Sequence, residues 1–288
     1  MALNSTYDPN QPVAKPTSMG DKQFKIFSDF IHGEFGIKLP PSKKTMLEAR
    51  LQKRLRVLGM SNYKEYCDFL FSPSGMDKEL FYLINAVTTN TTDFFREPKH
   101  FEILYGRLLP EFYSRHRGEA FHIWSAGCSS GEEPYTLSMV LSEFAEQNPS
   151  FRFSILATDI SLEVLEKAMR GVYAEEKVAP VPNHMKKKYL LRSKDKTRRL
   201  VRVSRELREA ISFDRLNFMD EFDLKTTVNV IFCRNVVIYF DRPTQEKLFN
   251  KFCRHLKPGG YLFIGHSESL TGMTLPLEQV APTVYKRI

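Results

Sequence analysis

From about residue 120 to the C-terminus, short apolar runs alternate with stretches of helical period, and this constrains the fold of the 288-residue chain more than any other feature. The runs are FHIWSA, RFSILATD, VNVIFCRN and GGYLFIGHSE; between them lie EPYTLSMVLSEFAEQ, SLEVLEKAMRGVY and RPTQEKLFNKFCRHL. Strand and helix in alternation mean βαβ units and a mostly parallel sheet, an α/β fold. Residues 173–213 break the rhythm. There KKYLLRS, KDKT and RRLVRV read as two strands about a turn, a small antiparallel β insertion.

Ahead of residue 91 the period is helical. Phe24, Phe27, Ile31 and Phe35 form one stripe, and Leu47, Leu51, Leu55 and Leu58 form another. Gly59 stops the second helix, Ser61 is a candidate N-cap for NYKEYCDFLF, and DKELFYLINAV follows the break SPSG. Residues 21–90 therefore read as a small all-α domain and 91–288 as the α/β domain. Residues 1–20, polar and proline-bearing, read as a disordered tail without the apolar core of a signal peptide. No run approaches the roughly 18 apolar residues of a membrane span. Cys67, Cys128, Cys233 and Cys253 lie far apart with no CxxC pair. That favours reduced thiols in the cytoplasm over disulfides or a zinc site, and no metal is expected.

The formal charge of +8 is concentrated: residues 185–209 hold eleven Lys/Arg against three acids, a local +8. Such a patch suits an acidic partner or nucleic acid, or is a solvated hairpin. A second cluster, Lys43, Arg50, Lys53 and Arg54, lies beside the leucine stripe and is either a solvated face or a dock for an acidic helix.

Ligands of open α/β sheets sit at the carboxyl ends of the strands, and four motifs fall there. WSAGCSSGEE carries Gly127 and Gly131 where a backbone turn can approach a ligand. Its helix opens with Glu132 and Glu133, which would repel a phosphate and suit a cation, or simply favour the helix dipole. Asp159 ends the next strand, placed to accept ribose hydroxyls or to cap the following helix. Asn217 and Phe218 follow the strand AISF, an amide and a ring able to frame a purine. Arg234 and Asn235 end the apolar run IFC, where an arginine needs a partner. A cationic ligand with ribose and purine but no phosphate describes S-adenosylmethionine, and hence a class I methyltransferase.

NAVTTNTTDFFRE, WSAGCSSGEEPY, ATDIS, IFCRNVVIYFD and LKPGGYLFIGHSE resemble the motif series of the CheR family, the chemotaxis receptor protein-glutamate O-methyltransferases. The resemblance runs from about residue 21 to the end. It implies a Rossmann-like class I S-adenosylmethionine-dependent methyltransferase domain with a small antiparallel β insertion, preceded by the all-α domain. It implies methyl transfer to glutamates on the cytoplasmic helices of chemoreceptors, giving methyl esters for sensory adaptation and S-adenosylhomocysteine as product. By match of motif the cofactor contacts are Asn90, Thr92, Arg96, Gly127, Glu133, Asp159, Asn217, Phe218, Arg234 and Asn235. Arg96 and Tyr239 are the residues beside the reacting centre. Lys43, Arg50, Lys53 and Arg54 would meet the receptor's methylation helices. In some members the β insertion adds a strand from a receptor tail peptide; the glycine-free turn SKDKTRR leaves that open here. A monomer is expected.

The chemistry agrees with the residues. A glutamate carboxylate, with a pKa of about 4.3, is ionised at neutral pH and needs no general base, which fits the absence of a Ser-His-Asp or Cys-His arrangement. Two rivals stand beside this reading. A nucleic-acid methyltransferase would use the basic patch, though Tyr189 is the only aromatic in it to stack on a base. A non-catalytic receptor-binding scaffold would keep the fold without needing Arg96, Glu133, Asp159 and Asn235 together.

Overall fold

The computed structural model describes residues 18–288. Contacts divide them into two units, one ending at residue 88 and the other comprising 34–38 and 89–288. Most of the expected tail, residues 1–17, lies outside the described residues. Met19, in contrast to the expectation for it, is buried and donates its N–H to Glu48 Oε1 (2.8 Å).

The first unit is built on α1 (Asp21–Phe35), α2 (Lys44–Leu58), α3 (Tyr63–Leu70) and α4 (Pro73–Val87). Both stripes face inward: Phe27, Ile31, Leu47, Leu51 and Leu55 are fully buried, and Leu58 is half-buried at the helix end. Gly59, at φ 68°, closes α2, and Met60 N–H reaches back to the Leu55 carbonyl (2.9 Å). The N-cap of α3 is Asn62, which accepts from Glu65 N–H; Ser61 instead hydrogen-bonds the Glu65 carboxylate. SPSG is not a break but the first turn of α4, with Ser72 as cap and Pro73 at the first position, where no N–H is needed.

In the second unit a helical run precedes the sheet: α5 (Lys99–Ile103), a π-turn over Leu104–Leu108 and α6 (Leu109–Arg115). Pro110 cannot donate to residue 106, and the ladder widens locally to pass it. Then follow β1 (Ala120–Ala126), α7 (Glu132–Gln147), β2 (Arg152–Asp159), α8 (Leu162–Arg170), β3 (Val172–Ala174), α9 (Asn183–Tyr189), β4 (Leu190–Arg192), β5 (Leu200–Val203) and α10 (Arg205–Glu209). The chain ends with β6 (Ile211–Arg215), β7 (Val228–Cys233), α11 (Arg242–His255), β8 (Leu256–Ile264), β9 (Leu277–Ala281) and β10 (Val284–Arg287).

Seven strands form the main sheet in the order β6-β2-β1-β7-β8-β10-β9. The first five are parallel, and β10 runs antiparallel between β8 and β9. The order reverses between β1 and β7, the switch point at which α/β folds bind ligands. Successive residues face opposite layers. Ile123, Ile155, Val230 and Phe232 pack toward α7, while Trp124, Ile231 and Leu262 pack with Phe249 and Phe252 of α11.

The insertion is a separate antiparallel sheet in the order β3-β5-β4. KDKT is indeed the turn between β4 and β5. Lys187–Tyr189 are helical, however, and Val172–Ala174 form an unforeseen third strand once Gly171, at φ 59°, ends α8. Ile211 already belongs to the main sheet.

Candidate active site

The loop from β1 to α7 is folded by its own backbone before any ligand is considered. The N–H groups of Gly127 and Cys128 both donate to the Thr158 carbonyl at the end of β2 (2.8 and 2.9 Å). Gly127 has φ 84°, and a Cβ there would sit 2.5 Å from Val236 Cγ2. Gly131 has φ 97°, and its Cβ would meet Ala168 and Tyr173 at 2.9 Å. Both glycines thus make room for the protein's own neighbours, which fix the loop's path.

Asp159, at the tip of β2, is buried and takes part in that fold: Oδ2 accepts Ser129 N–H (2.9 Å) and Oδ1 accepts Ser161 N–H (3.0 Å). Burial pushes its carboxyl up, and the N–H groups partly offset this. Ile160 N–H also reaches the carboxylate, which with about four acceptor sites keeps capacity for a hydroxyl. Glu132 is turned to Ser130 (2.7 Å), and burial raises it; of the two acids opening α7 it is the one spent on the loop.

Glu133 stands in an ion-pair group. Oε1 accepts the Ser125 hydroxyl (2.7 Å), and Oε2 accepts Arg234 Nε (2.7 Å). The Arg234 side chain is only 2% exposed, so the partner that an arginine at a strand end requires is Glu133. Its Nη1 also donates to the Arg96 carbonyl (2.6 Å). The segment carrying Asn90, Thr92 and Arg96 is pinned here from two sides, since Ser129 Oγ donates to the Asn90 carbonyl (3.0 Å). The Arg96 guanidinium reaches the Thr91 carbonyl (3.0 Å), and the Thr92 carbonyl faces Lys177 Nζ at 3.4 Å.

Asn235 follows with φ 60°, and its Oδ1 is buried without a hydrogen-bond partner. An unmet buried acceptor at the end of β7 fits a ligand that brings N–H donors, as a nucleoside carrying an amino acid does. Tyr239, half-buried at the end of the 3-10 turn Val237–Tyr239, makes no hydrogen bond through its phenol among the described residues.

Other expected contacts are engaged elsewhere. Asn217 ties its own loop, donating to the Glu34 carbonyl (2.9 Å) and accepting Met219 N–H (3.1 Å). Phe218 is a core residue, edge-on to Phe252 (5.5 Å) and Trp124 (6.4 Å). Four contributors went unrecognised in the sequence: Glu97, His100, Thr283 and Glu268. Buried Glu268 accepts Gly265 N–H (2.6 Å) and Val237 N–H (2.9 Å), joining the end of β8 to the turn that carries Asn235 and Tyr239. The one hint was an acid placed just after an apolar strand, in GHSE.

A mostly parallel sheet with a reversed strand order, an acidic loop at the switch point and an aspartate on the neighbouring tip define an S-adenosylmethionine-dependent methyltransferase. The family described as CheR methyltransferase, SAM binding domain, matches residues 90–286, and the CheR methyltransferase all-alpha domain matches residues 22–88. The chain belongs to the CheR methyltransferase family. The chemotaxis protein methyltransferase of Borreliella burgdorferi is 43% identical over 262 residues, covering 89% of this chain and 91% of that one. The Escherichia coli protein of the same description is 36% identical, covering 93% and 91%. A probable chemotaxis protein methyltransferase of Rhizobium etli is 39% identical, covering 84% and 90%. S-adenosylmethionine is the cofactor and chemotaxis the setting of the methylation.

Proposed function

We propose that the chain methylates glutamate side chains on the cytoplasmic helices of chemoreceptors, forming glutamyl methyl esters. The observation that carries this reading is the Ser125–Glu133–Arg234 group next to the unpartnered Asn235 Oδ1. Bound there, the cofactor supplies an electrophilic methyl group on a sulfonium. Glu133 accepts its ammonium, Asp159 its ribose hydroxyls and Asn235 an N–H of its polar end. Asn90, Thr92, Gly127, Asn217 and Phe218 shape the walls, the last two by fixing the adenine side of the cleft. Arg234 supports Glu133 from behind.

Arg96 holds the substrate carboxylate and Tyr239 steers one oxygen. Neither takes a proton, because the carboxylate arrives ionised. Transfer joins an anion to a cation and cancels both charges, so a partly dry site favours it. Alignment of the reacting atoms contributes on the order of 7–11 kcal/mol. Too tight a grip by Arg96 would stabilise the ground state and slow the reaction.

The nucleic-acid alternative loses support from the patch itself. Lys188 pairs with Glu143 and Glu146, Arg192 and Arg199 flank Glu175, and Arg205 pairs with Glu209. The test is transfer of labelled methyl from the cofactor to receptor-rich membranes. Release of the label by mild base identifies an ester; base-stable label, or label on nucleic acid, defeats the proposal.

A further inference from the structure

Arg234 serves two carboxylates. Nε donates to Glu133, while Nη1 faces Glu97 Oε2 at 3.5 Å and His100 Nδ1 at 3.4 Å. The Glu97 side chain is 10% exposed, its Oε1 accepts His266 N–H (3.1 Å), and its Oε2 has no hydrogen bond. The tautomer of His100 follows from its partners. Thr283 Oγ1 gives its proton to the Pro282 carbonyl (2.7 Å), so at 2.8 Å it accepts from His100 Nε2–H. Nδ1 is then a bare acceptor turned to Arg234. Glu97, His100 and His266 bring ligand atoms within 4.8 Å of one another, as a metal site would. Here Arg234 Nη1 already faces two of the three, so the guanidinium is the cation of that cluster.

The charges do not cancel. Leaving aside the exposed His266 ring, 4.0 Å from Glu97 Oε2, the buried part of the group is two carboxylates, one guanidinium and a neutral imidazole, a net −1 that is costly unless another cation completes it. The proposed function brings one, the cofactor's ammonium at Glu133. Without Glu97, ammonium and Arg234 would compete for a single carboxylate and leave a buried arginine under-compensated. We infer that Glu97 is a positioning residue acting through Arg234: it holds the guanidinium's charge so that Glu133 can accept the ammonium. Through the Arg96 carbonyl on the same Nη1, it also ties cofactor binding to the backbone at Phe95 (φ 54°) and Glu97 (φ 56°).

The inference rests on the ammonium reading of Glu133, and two ligands separate the two claims. S-adenosylhomocysteine carries the ammonium; 5′-methylthioadenosine lacks it. In calorimetric titrations of the full chain, Glu97→Gln weakens S-adenosylhomocysteine about tenfold or more, equivalent to roughly 1.4 kcal/mol. It leaves methylthioadenosine within about twofold. Glu97→Asp, which keeps the charge, recovers part of the loss. A residue that only supports the fold would weaken both ligands alike, and that result overturns the inference. If Glu133→Gln is selective for the ammonium and Glu97→Gln is not, the inference falls and the ammonium reading stands. If Glu133→Gln is not selective, both fall. Should Glu97→Gln not fold, the Arg234 Nη1–H resonance of the unaltered protein, on the Glu97 side of the guanidinium, decides. It shifts with S-adenosylhomocysteine and not with methylthioadenosine, and no shift refutes the coupling.

Discussion

In the proposed mechanism Arg96 and Tyr239 act on the same carboxylate with different means. A charged guanidinium makes hydrogen bonds worth about 1.5–3 kcal/mol, a neutral phenol about 0.5–1.5 kcal/mol. Arg96→Ala is therefore expected to lower kcat/KM by about 10–100-fold and Tyr239→Phe by less than about tenfold. Arg96→Ala also weakens the cofactor, because the segment from Asn90 to Arg96 loses its tie to the Thr91 carbonyl. Equal, near-wild-type rates for both variants would remove these roles. His100 gives a prediction in pH. Burial first, then Arg234, hold it down at about 4 from 6.5. Between those values the unfolded chain binds a proton that the folded chain declines, so stability falls as pH drops through that window. The full loss is about 3 kcal/mol. Asp159, Glu132 and Glu268 are raised by burial and push the other way, so a difference measurement is needed. His100→Gln keeps an N–H toward Thr283 and does not titrate. In urea unfolding its stability should drop less than wild type between pH 6.5 and 4; parallel curves would dismiss the argument.

Among the elements, the β1–α7 turn has little room to vary. Gly127→Ala must force a Cβ to 2.5 Å from Val236 Cγ2 and hold φ 84°, a combined strain on the order of 1–3 kcal/mol. We expect weaker binding of S-adenosylhomocysteine and a lower Tm. Val236→Ala on top should restore part of the loss, since it relieves the contact but not the dihedral. No rescue would mean that backbone strain alone sets the cost. Elements of strong period were readable from the sequence: the leucine stripe of α2, the apolar strands and the acid at the tip of β2 all stand where expected. Gly127 was readable as a special position, but not its reason, because Val236 lies more than a hundred residues further on. The same distance hid the pairing of Arg234 with Glu133 and Glu97. Period and spacing describe neighbours along the chain, and an ion-pair group gathered from three segments has no local signature. Pro110 shows the reverse case, a local conflict visible in the sequence whose resolution as a π-turn depended on the surrounding packing.

Over the whole molecule, charge is the property that one-dimensional reading judged least well. The four cations assigned to receptor contact divide into two pairs. Arg54 forms a two-pronged ion pair with buried Glu79 (2.7 and 2.8 Å) and lies 3.5 Å from the centre of the Tyr82 ring. Arg50 donates to the carbonyls of Ala86 (3.1 Å) and Thr88 (3.0 Å), closing the end of α4. Both are committed within the all-α domain, while Lys43 and Lys53 are exposed. Arg54→Ala strands a buried carboxylate and should cost about 3–5 kcal/mol, seen as a lower Tm. The double variant Lys43→Ala/Lys53→Ala should leave Tm and S-adenosylhomocysteine affinity unchanged and raise KM for receptor several-fold. Because exposed charges are screened over about 10 Å at 0.1 M salt, wild type should approach the double variant as salt rises. If the double variant methylates receptor like wild type at low salt, the acidic helices meet another face of the molecule. The assignment of Lys43 and Lys53 is then wrong, whatever the fate of the active site.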